Sequence, residues 1–301
     1  MMKNLRLRAY GKINLGLDVL RRREDGYHEV RMIMQTVGIF DRIDLTLRTE
    51  PGIQVSTNLY YLPTNENNLV YRAAQLLFDE FQIQEGVQIR LQKYIPVAAG
   101  MAGGSSDAAA VLFGINKMFD LGLSTRELMD RGVRLGADVP YCVLRGTALS
   151  EGIGEILTPL PPVPQCQILI VKPGISVSTK FVYENLHANE LRPDQHPDID
   201  AMLTAIREQD IYRIAAAMGN VLETVTVKKH PVIQTIKERL LACGAIGSLM
   251  SGSGPTVFGL FTNPMAARTA YEQFRYGQDS SLAKQVYLTN FYNKKENHHE
   301  S

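Results

Sequence analysis

Pro96-Val-Ala-Ala-Gly-Met-Ala-Gly-Gly-Ser-Ser-Asp-Ala108 joins two segments of different periodicity, and that junction decides the fold. Upstream, Val87, Ile89 and Leu91 alternate with polar residues, as in a half-buried strand; downstream, Ala109, Val111, Leu112, Ile115, Met118 and Phe119 recur at helical spacing. A strand therefore runs through a loop of small residues directly into an apolar helix. Gly100, Gly103 and Gly104 carry no Cβ, so the backbone there can approach a ligand closely and take up positive φ, while Ser105 and Ser106 are placed to cap the helix. The first N–H groups of such a helix and the positive end of its dipole favour an anion. The residues alone leave an ordinary tight turn as the alternative.

Two common nucleotide fingerprints are excluded. A P-loop ends in Gly-Lys-Ser/Thr, whereas these glycines lead into Ser-Ser-Asp. The dinucleotide fingerprint belongs at the first strand of a βαβ unit, and this loop lies a third of the way along the chain.

Composition fits an ordinary enzyme. The chain has 301 residues with 45% hydrophobic content, enough for two domains with real cores. Lys+Arg 32 against Asp+Glu 31 leaves a net charge of +1, which offers no general surface for nucleic acid or membrane, so an anion site must be local. Cys142, Cys166 and Cys243 are odd in number and far apart, as expected of reduced, buried thiols. No segment of ~18 apolar residues occurs and no apolar run follows the first residues, so a cytoplasmic protein is expected.

Alternation predicts strands at Leu5–Tyr10, Ile13–Leu20, Val30–Val37, Asp44–Leu47 and Val87–Leu91, with Asp25-Gly26 as a turn. A helix follows the asparagine cluster 65–68, and another follows Ser124, whose Glu127 completes a capping box. Prolines at 159, 161, 162 and 164 place the domain boundary between residues 160 and 161. Further strands are expected at 168–171, 247–250, 256–261 and 285–289, with helices across 198–243 and 265–274. The partition is then 1–160, 161–292 and a polar, disordered tail at 293–301.

Pro-x-x-x-Gly-x-x-Gly-Gly-Ser-Ser-x-Ala resembles the second motif of the GHMP kinases. Ala9-Tyr-Gly-Lys-Ile-Asn14 resembles their amino-terminal motif, and Ser251-Gly-Ser-Gly-Pro-Thr-Val-Phe258 their glycine-rich third one. Arg23-Glu-Asp-Gly-Tyr-His28, Gly136-Ala-Asp-Val-Pro140 and Pro173-Gly-Ile-Ser-Val-Ser-Thr179 resemble the branch that phosphorylates a cytidine-diphosphate-linked polyol in non-mevalonate isoprenoid synthesis; a homoserine- or mevalonate-kinase-like activity is the alternative. The resemblance spans about Leu5 to Phe291. It implies an α+β, two-domain GHMP kinase fold, with a ribosomal-protein-S5-like amino-terminal domain and a ferredoxin-like carboxy-terminal one.

The site follows from the resemblance residue by residue. Lys12 and Asp138 are the catalytic pair, although singly each also reads as a solvated strand-end lysine and a turn aspartate. In a phosphoryl transfer dominated by positioning and charge, the aspartate orients the acceptor hydroxyl early and takes its proton late, and the lysine neutralises the developing charge. ATP is expected on Pro96, Val97, Ala98, Ala99, Gly100, Met101, Ala102, Gly103, Gly104, Ser105 and Ser106, with Asn68 at the adenine. Ser106 is the expected contact to Mg²⁺. Asp107 beside the phosphates is expected to point away as a first-turn helix anion. Asn14, Tyr27, His28, Thr179 and Tyr183 are the acceptor residues, with aromatic rings stacking on the base; Tyr183 also reads as a core residue. The partner is a small cytidine diphosphate compound, with no nucleic acid and no membrane, and the protein a monomer or weak homodimer.

Overall fold

The computed structural model describes residues 2–293. The chain forms two compact units, residues up to Lys12 with Ile39–Leu144, and Ile13–Gly38 with the residues from Arg145 onward. Two long strands, β1 (Asn4–Arg22) and β2 (His28–Arg48), run through both units. Each was expected as two shorter strands. At Gly11 and Lys12 the first stays extended, because Gly11 opens onto Ile95 and Met101 and needs no turn. The compact units therefore do not follow the contiguous partition at 160/161.

The first unit adds β3 (Gly52–Thr57), α1 (Leu69–Phe81), β4 (Gly86–Gln92), α2 (Gly103–Phe119), α3 (Thr125–Gly132) and α4 (Val139–Leu144). β2 pairs antiparallel with β4 over Arg42–Arg48, and β3 lies parallel to β4. The odd-numbered side chains Val87, Ile89 and Leu91 of β4 and Ile43 and Leu45 of β2 are buried. α2 is buried along most of its length, from Ser106 through Val111 to Met118. Asn68 caps α1 through Val70 N, and Ser124 with Glu127 forms the expected capping box on α3. Gly132 lets α3 and α4 approach, since a Cβ there would stand 2.9 Å from Val139 Cγ1.

The second unit continues with β5 (Thr147–Glu151), β6 (Ile156–Pro159), β7 (Gln167–Lys172), α5 (Thr179–Glu184), α6 (Ile199–Arg207), α7 (Ile211–Ala216), β8 (Gly219–Asn220), α8 (Glu223–Lys229), α9 (Val232–Ala242), β9 (Gly247–Met250), β10 (Val257–Phe261), α10 (Pro264–Tyr276) and β11 (Gln285–Asn290). Its antiparallel sheet has the order β11-β7-β10-β9. Ile168 to Val171 and Val257 to Phe261 are buried, as a sheet covered on both faces requires. The proline run is no barrier to β6, a short strand paired only with β5 and ending at Pro159, where no ladder donor is needed. Cys142 and Cys166 are buried and in no disulfide, and burial pushes the Cys166 thiol up to about 12; Cys243 is only half-buried. Of the expected disordered tail, Asn293 is held by its amide on Val163 O at 3.1 Å, and residues 294–301 lie outside the described residues. Among the described residues no helix is long and apolar enough to cross a membrane.

Candidate active site

β4 delivers the chain at Gln92 and α2 takes it up at Gly103, so the intervening loop is anchored on two rigid elements. Only Gly100 of the three loop glycines has positive φ, at 73°; Gly103 and Gly104 are already helical. The left-handed positions fall instead on Ala98 (φ 50°) and Ala102 (φ 52°), a conformation that costs an L-residue about 1–2 kcal/mol. The helix thus begins two residues before Ser105. Ala102 is its N-cap, no side chain caps it, and Ser105 and Ser106 lie in its first turn rather than ahead of it. That leaves first-turn N–H groups for an anion. Gly104 is exposed, and a Cβ on it would meet only Leu69 Cδ1 at 3.5 Å. Ser106 is buried and donates its hydroxyl to Tyr10 O at 2.6 Å, tying α2 to β1.

The same strand brings Lys12 to the loop. Its backbone N–H donates to Met101 O at 3.1 Å, and its side chain is 6% exposed. Asp138 lies just before α4 and opens that helix, its carbonyl accepting from Cys142 N at 3.1 Å. Lys12 Nζ stands 3.9 Å from Asp138 Oδ2, beyond hydrogen-bond range but within ion-pair distance. The two expected catalytic residues are therefore together, beside the loop that Lys12 holds.

Asp107 does not behave as a first-turn anion. It is buried and accepts from Lys93 Nζ at 2.7 Å, and the same amine donates to Asp41. Burial raises the Asp107 carboxyl well above the ordinary carboxylate range, against the pull of Lys93. Burial alone would lower Lys93, but the two carboxylates overcome it and raise it. Neither Lys93 nor Asp41 was singled out from the sequence, although a signal existed. Lys93 continues the buried parity of Val87, Ile89 and Leu91, and Asp41 that of Ile43 and Leu45. Extending the register one step past Arg42↔Gln92 sets Asp41 opposite Lys93.

In the second unit, the Asp25-Gly26 turn forms as expected, with Arg23 N on Tyr27 O at 2.8 Å. It leaves Tyr27 59% exposed and sets the His28 ring 5.0 Å from that of Tyr183, so Tyr183 meets the histidine and is no plain core residue. Burial, with Arg22 adding to it, lowers His28 below its usual value, which favours the neutral imidazole. Asn14 is fully buried, its amide on Met32 Sδ at 3.5 Å. The Thr179 and Ser253 hydroxyls lie 2.8 Å apart, which ties α5 to the glycine-rich stretch at 251–256. Asn220, unmarked in the sequence, donates to Met250 O and Gly252 O, both at 2.8 Å, and so braces that stretch. Asn68 spends its side chain on Val70 N and Pro63 O, as a cap.

Residues 68–146 match the family described as GHMP kinases N terminal domain, and residues 202–278 the one described as GHMP kinases C terminal. A protein of Lachnoclostridium phytofermentans called 4-diphosphocytidyl-2-C-methyl-D-erythritol kinase is 57% identical over 98% of this chain and 99% of its own length. The chain belongs to that kinase family. A relative of the same name from Lachnospira eligens is 54% identical over 96% of this chain and 98% of its own length. Among solved structures, a 4-(cytidine 5'-diphospho)-2C-methyl-D-erythritol kinase is similar with a TM-score of 0.81 and 32% identity, covering 96% of this chain and 100% of that one. Homoserine kinase from Cytophaga hutchinsonii shares the fold at a TM-score of 0.79 and 21% identity, covering 96% and 95%. The α+β, two-domain GHMP kinase fold is thus the fold of this kinase.

Gly103 and Gly104 of the kinase loop should respond differently to a methyl group. At Gly103 the Cβ would stand 3.1 Å from both Ile95 Cγ2 and Lys93 Nζ, whereas at Gly104 it meets ordinary contact. Gly104→Ala is expected to gain about 0.4–1 kcal/mol from reduced unfolded-state entropy. Gly103→Ala should gain nothing or lose stability. Urea unfolding of the two variants checks the order, which a more stable Gly103→Ala would reverse.

Proposed function

We propose that this kinase transfers the γ-phosphoryl group of ATP to the 2-hydroxyl of 4-diphosphocytidyl-2-C-methyl-D-erythritol, giving the 2-phosphate and ADP. The observation that carries the mechanism is the Lys12 amine 3.9 Å from the Asp138 carboxylate, on a strand whose amide holds the loop at Met101. Phosphoryl transfer needs positioning and charge stabilisation above all, with one group to take the hydroxyl proton. Asp138 orients the 2-hydroxyl and accepts its proton as the new P–O bond forms and the bond to the departing ADP breaks. Lys12 stabilises the charge on the attacking oxygen and the phosphoryl group, an effect that is large in a site with little water.

The ATP phosphates lie on the first turn of α2, along Pro96 to Ser106, where Gly104 leaves room. Asn68 shapes the adenine side by fixing the start of α1. Mg²⁺ commonly uses only one or two protein ligands beside substrate phosphates, so a single hydroxyl at the head of α2 would be enough to contact it. Ser106, whose hydroxyl proton is engaged on Tyr10 O, keeps lone pairs for it. Bound there, Mg²⁺ neutralises phosphate charge.

Tyr27, His28 and Tyr183 take the cytosine, and Asn14 and Thr179 the polyol and diphosphate. Stacking does not distinguish cytosine from uracil; the exchange of donor and acceptor on the base edge does, and a neutral imidazole beside Tyr183 can meet that edge. Residues 1–160 carry the ATP loop and the catalytic pair, and residues 161–292 the other aromatic wall of the acceptor site. The protein works in the cytoplasm as a monomer or weak homodimer.

Asp138→Asn should lower kcat by about 10²–10⁴ while leaving ATP affinity near that of the wild type, and near-normal turnover would remove the base assignment. Steady-state kinetics with the uridine analogue of the acceptor tests the base reading. A site built to hydrogen-bond its substrate rejects such an analogue by about 10⁴–10⁵ in kcat/KM, and equal values for the two bases would return the enzyme to a general polyol kinase.

A further inference from the structure

We propose that Lys93 is a positioning residue for ATP, acting as a clamp that closes the two ends of the phosphate loop on each other; this rests on the reading of that loop as the ATP site. At the entrance, Lys93 is fixed by its backbone. Its N–H donates to Asn58 Oδ1 at 2.8 Å and its carbonyl accepts from Asn58 Nδ2 at 3.2 Å. Asp41 accepts from Ile95 N at 2.8 Å and from Tyr94 N as well, so the strand end is tied down residue by residue. At the exit, the Lys93 amine reaches Asp107, in the second turn of α2, at 2.7 Å. The segment from Pro96 to Ala102 spans these two fixed points, with one further tie, the Lys12 N–H on Met101 O. The amine lies under the first helical residue as well, since a Cβ on Gly103 would stand 3.1 Å from Nζ.

The clamp has work to do. Ala98 and Ala102 both hold left-handed φ, which a loose loop would relax, moving the first-turn N–H groups away from the phosphates. It is also costly to keep without a function. All three side chains are at most 8% exposed, two carboxylates share one amine, and Asp107 Oδ1 has no hydrogen-bond partner. An apolar trio would fill the same space at less expense. The arrangement is what a rigid, geometry-setting contact requires, and Lys93 touches no reacting atom in it.

The test uses the full chain. Lys93→Met would leave two carboxylates face to face in the core, so the informative variant is Asp107→Ala, which cuts the tie to α2 and leaves Lys93 and Asp41 as a neutral pair. Binding of ATP to the wild type is measured first by calorimetry; its absence would remove the ATP reading itself. With wild-type binding in hand, Asp107→Ala is expected to raise the KM for ATP ten-fold or more, with the acceptor KM within two-fold and kcat at saturating ATP within three-fold. Lys93→Arg, which keeps the cation between both carboxylates, should stay within three-fold of wild type on all three. Asp107→Asn has the shape of the native residue and remains folded should the alanine variant not; it should raise the ATP KM by about three-fold. A lowered Tm with an unchanged ATP KM in these variants, or equal losses for both substrates, would overturn the clamp and leave the triad a core contact.

Discussion

A buried ammonium group must keep its counter-charges, and at Lys93 that requirement fixes the geometry of the chain on both sides. Its carboxylates come from the middle of β2 and the start of α2, so strand pairing, the loop and the helix are held in one relation. Breaking such a buried pair by removing one partner costs about 3–5 kcal/mol, more than most single contacts in a domain. Between those anchors the loop holds two alanines in a left-handed conformation, and the first turn of α2 has no side-chain cap. From that turn outward the rest is short-range. Met101 takes the amide of Lys12, Lys12 faces Asp138, and Tyr10 takes the hydroxyl of Ser106.

The second unit solves a different problem. Its aromatic rings are brought together by a hairpin and a short helix. The Asp25-Gly26 turn puts Tyr27 and His28 at the head of β2, and α5 brings Tyr183 to the histidine ring. Its glycine-rich stretch depends on Asn220, whose one amide serves two carbonyls while its oxygen accepts from Leu222 N. One asparagine thereby satisfies three backbone groups, at the end of β9, in the turn after it and at the start of α8.

What the sequence disclosed followed the range of the interactions involved. The strand-loop-helix junction, the hairpin turn, the Ser124 capping box and the motif residues Lys12 and Asp138 are set within a few residues of themselves, and pattern and resemblance reach them. The continuity of β1 through Gly11 and Lys12 is tertiary: glycine often marks a turn, but Gly11 here lies extended against Ile95 and Met101. The role of Asp107 was misread for a related reason. A carboxylate in the opening turns of a helix is ordinarily a dipole partner, and only the pairing of β2 with β4 reveals a lysine beneath it. The parity of Asp41 within β2 and of Lys93 one residue past β4 carried that information, but it becomes visible only when the two strands are aligned. The compact units escape a linear reading altogether, because two strands belong to both.

The claim that the motifs, the catalytic pair and the aromatic wall make one enzyme of one acceptor class is tested most directly by product analysis. The protein is incubated with ATP and Mg²⁺ and, separately, with 4-diphosphocytidyl-2-C-methyl-D-erythritol, homoserine and mevalonate, and each acceptor is followed by mass spectrometry. A single added phosphate on the cytidine compound alone is the expected result. Phosphorylation of homoserine or mevalonate, with the cytidine compound unchanged, would contradict it.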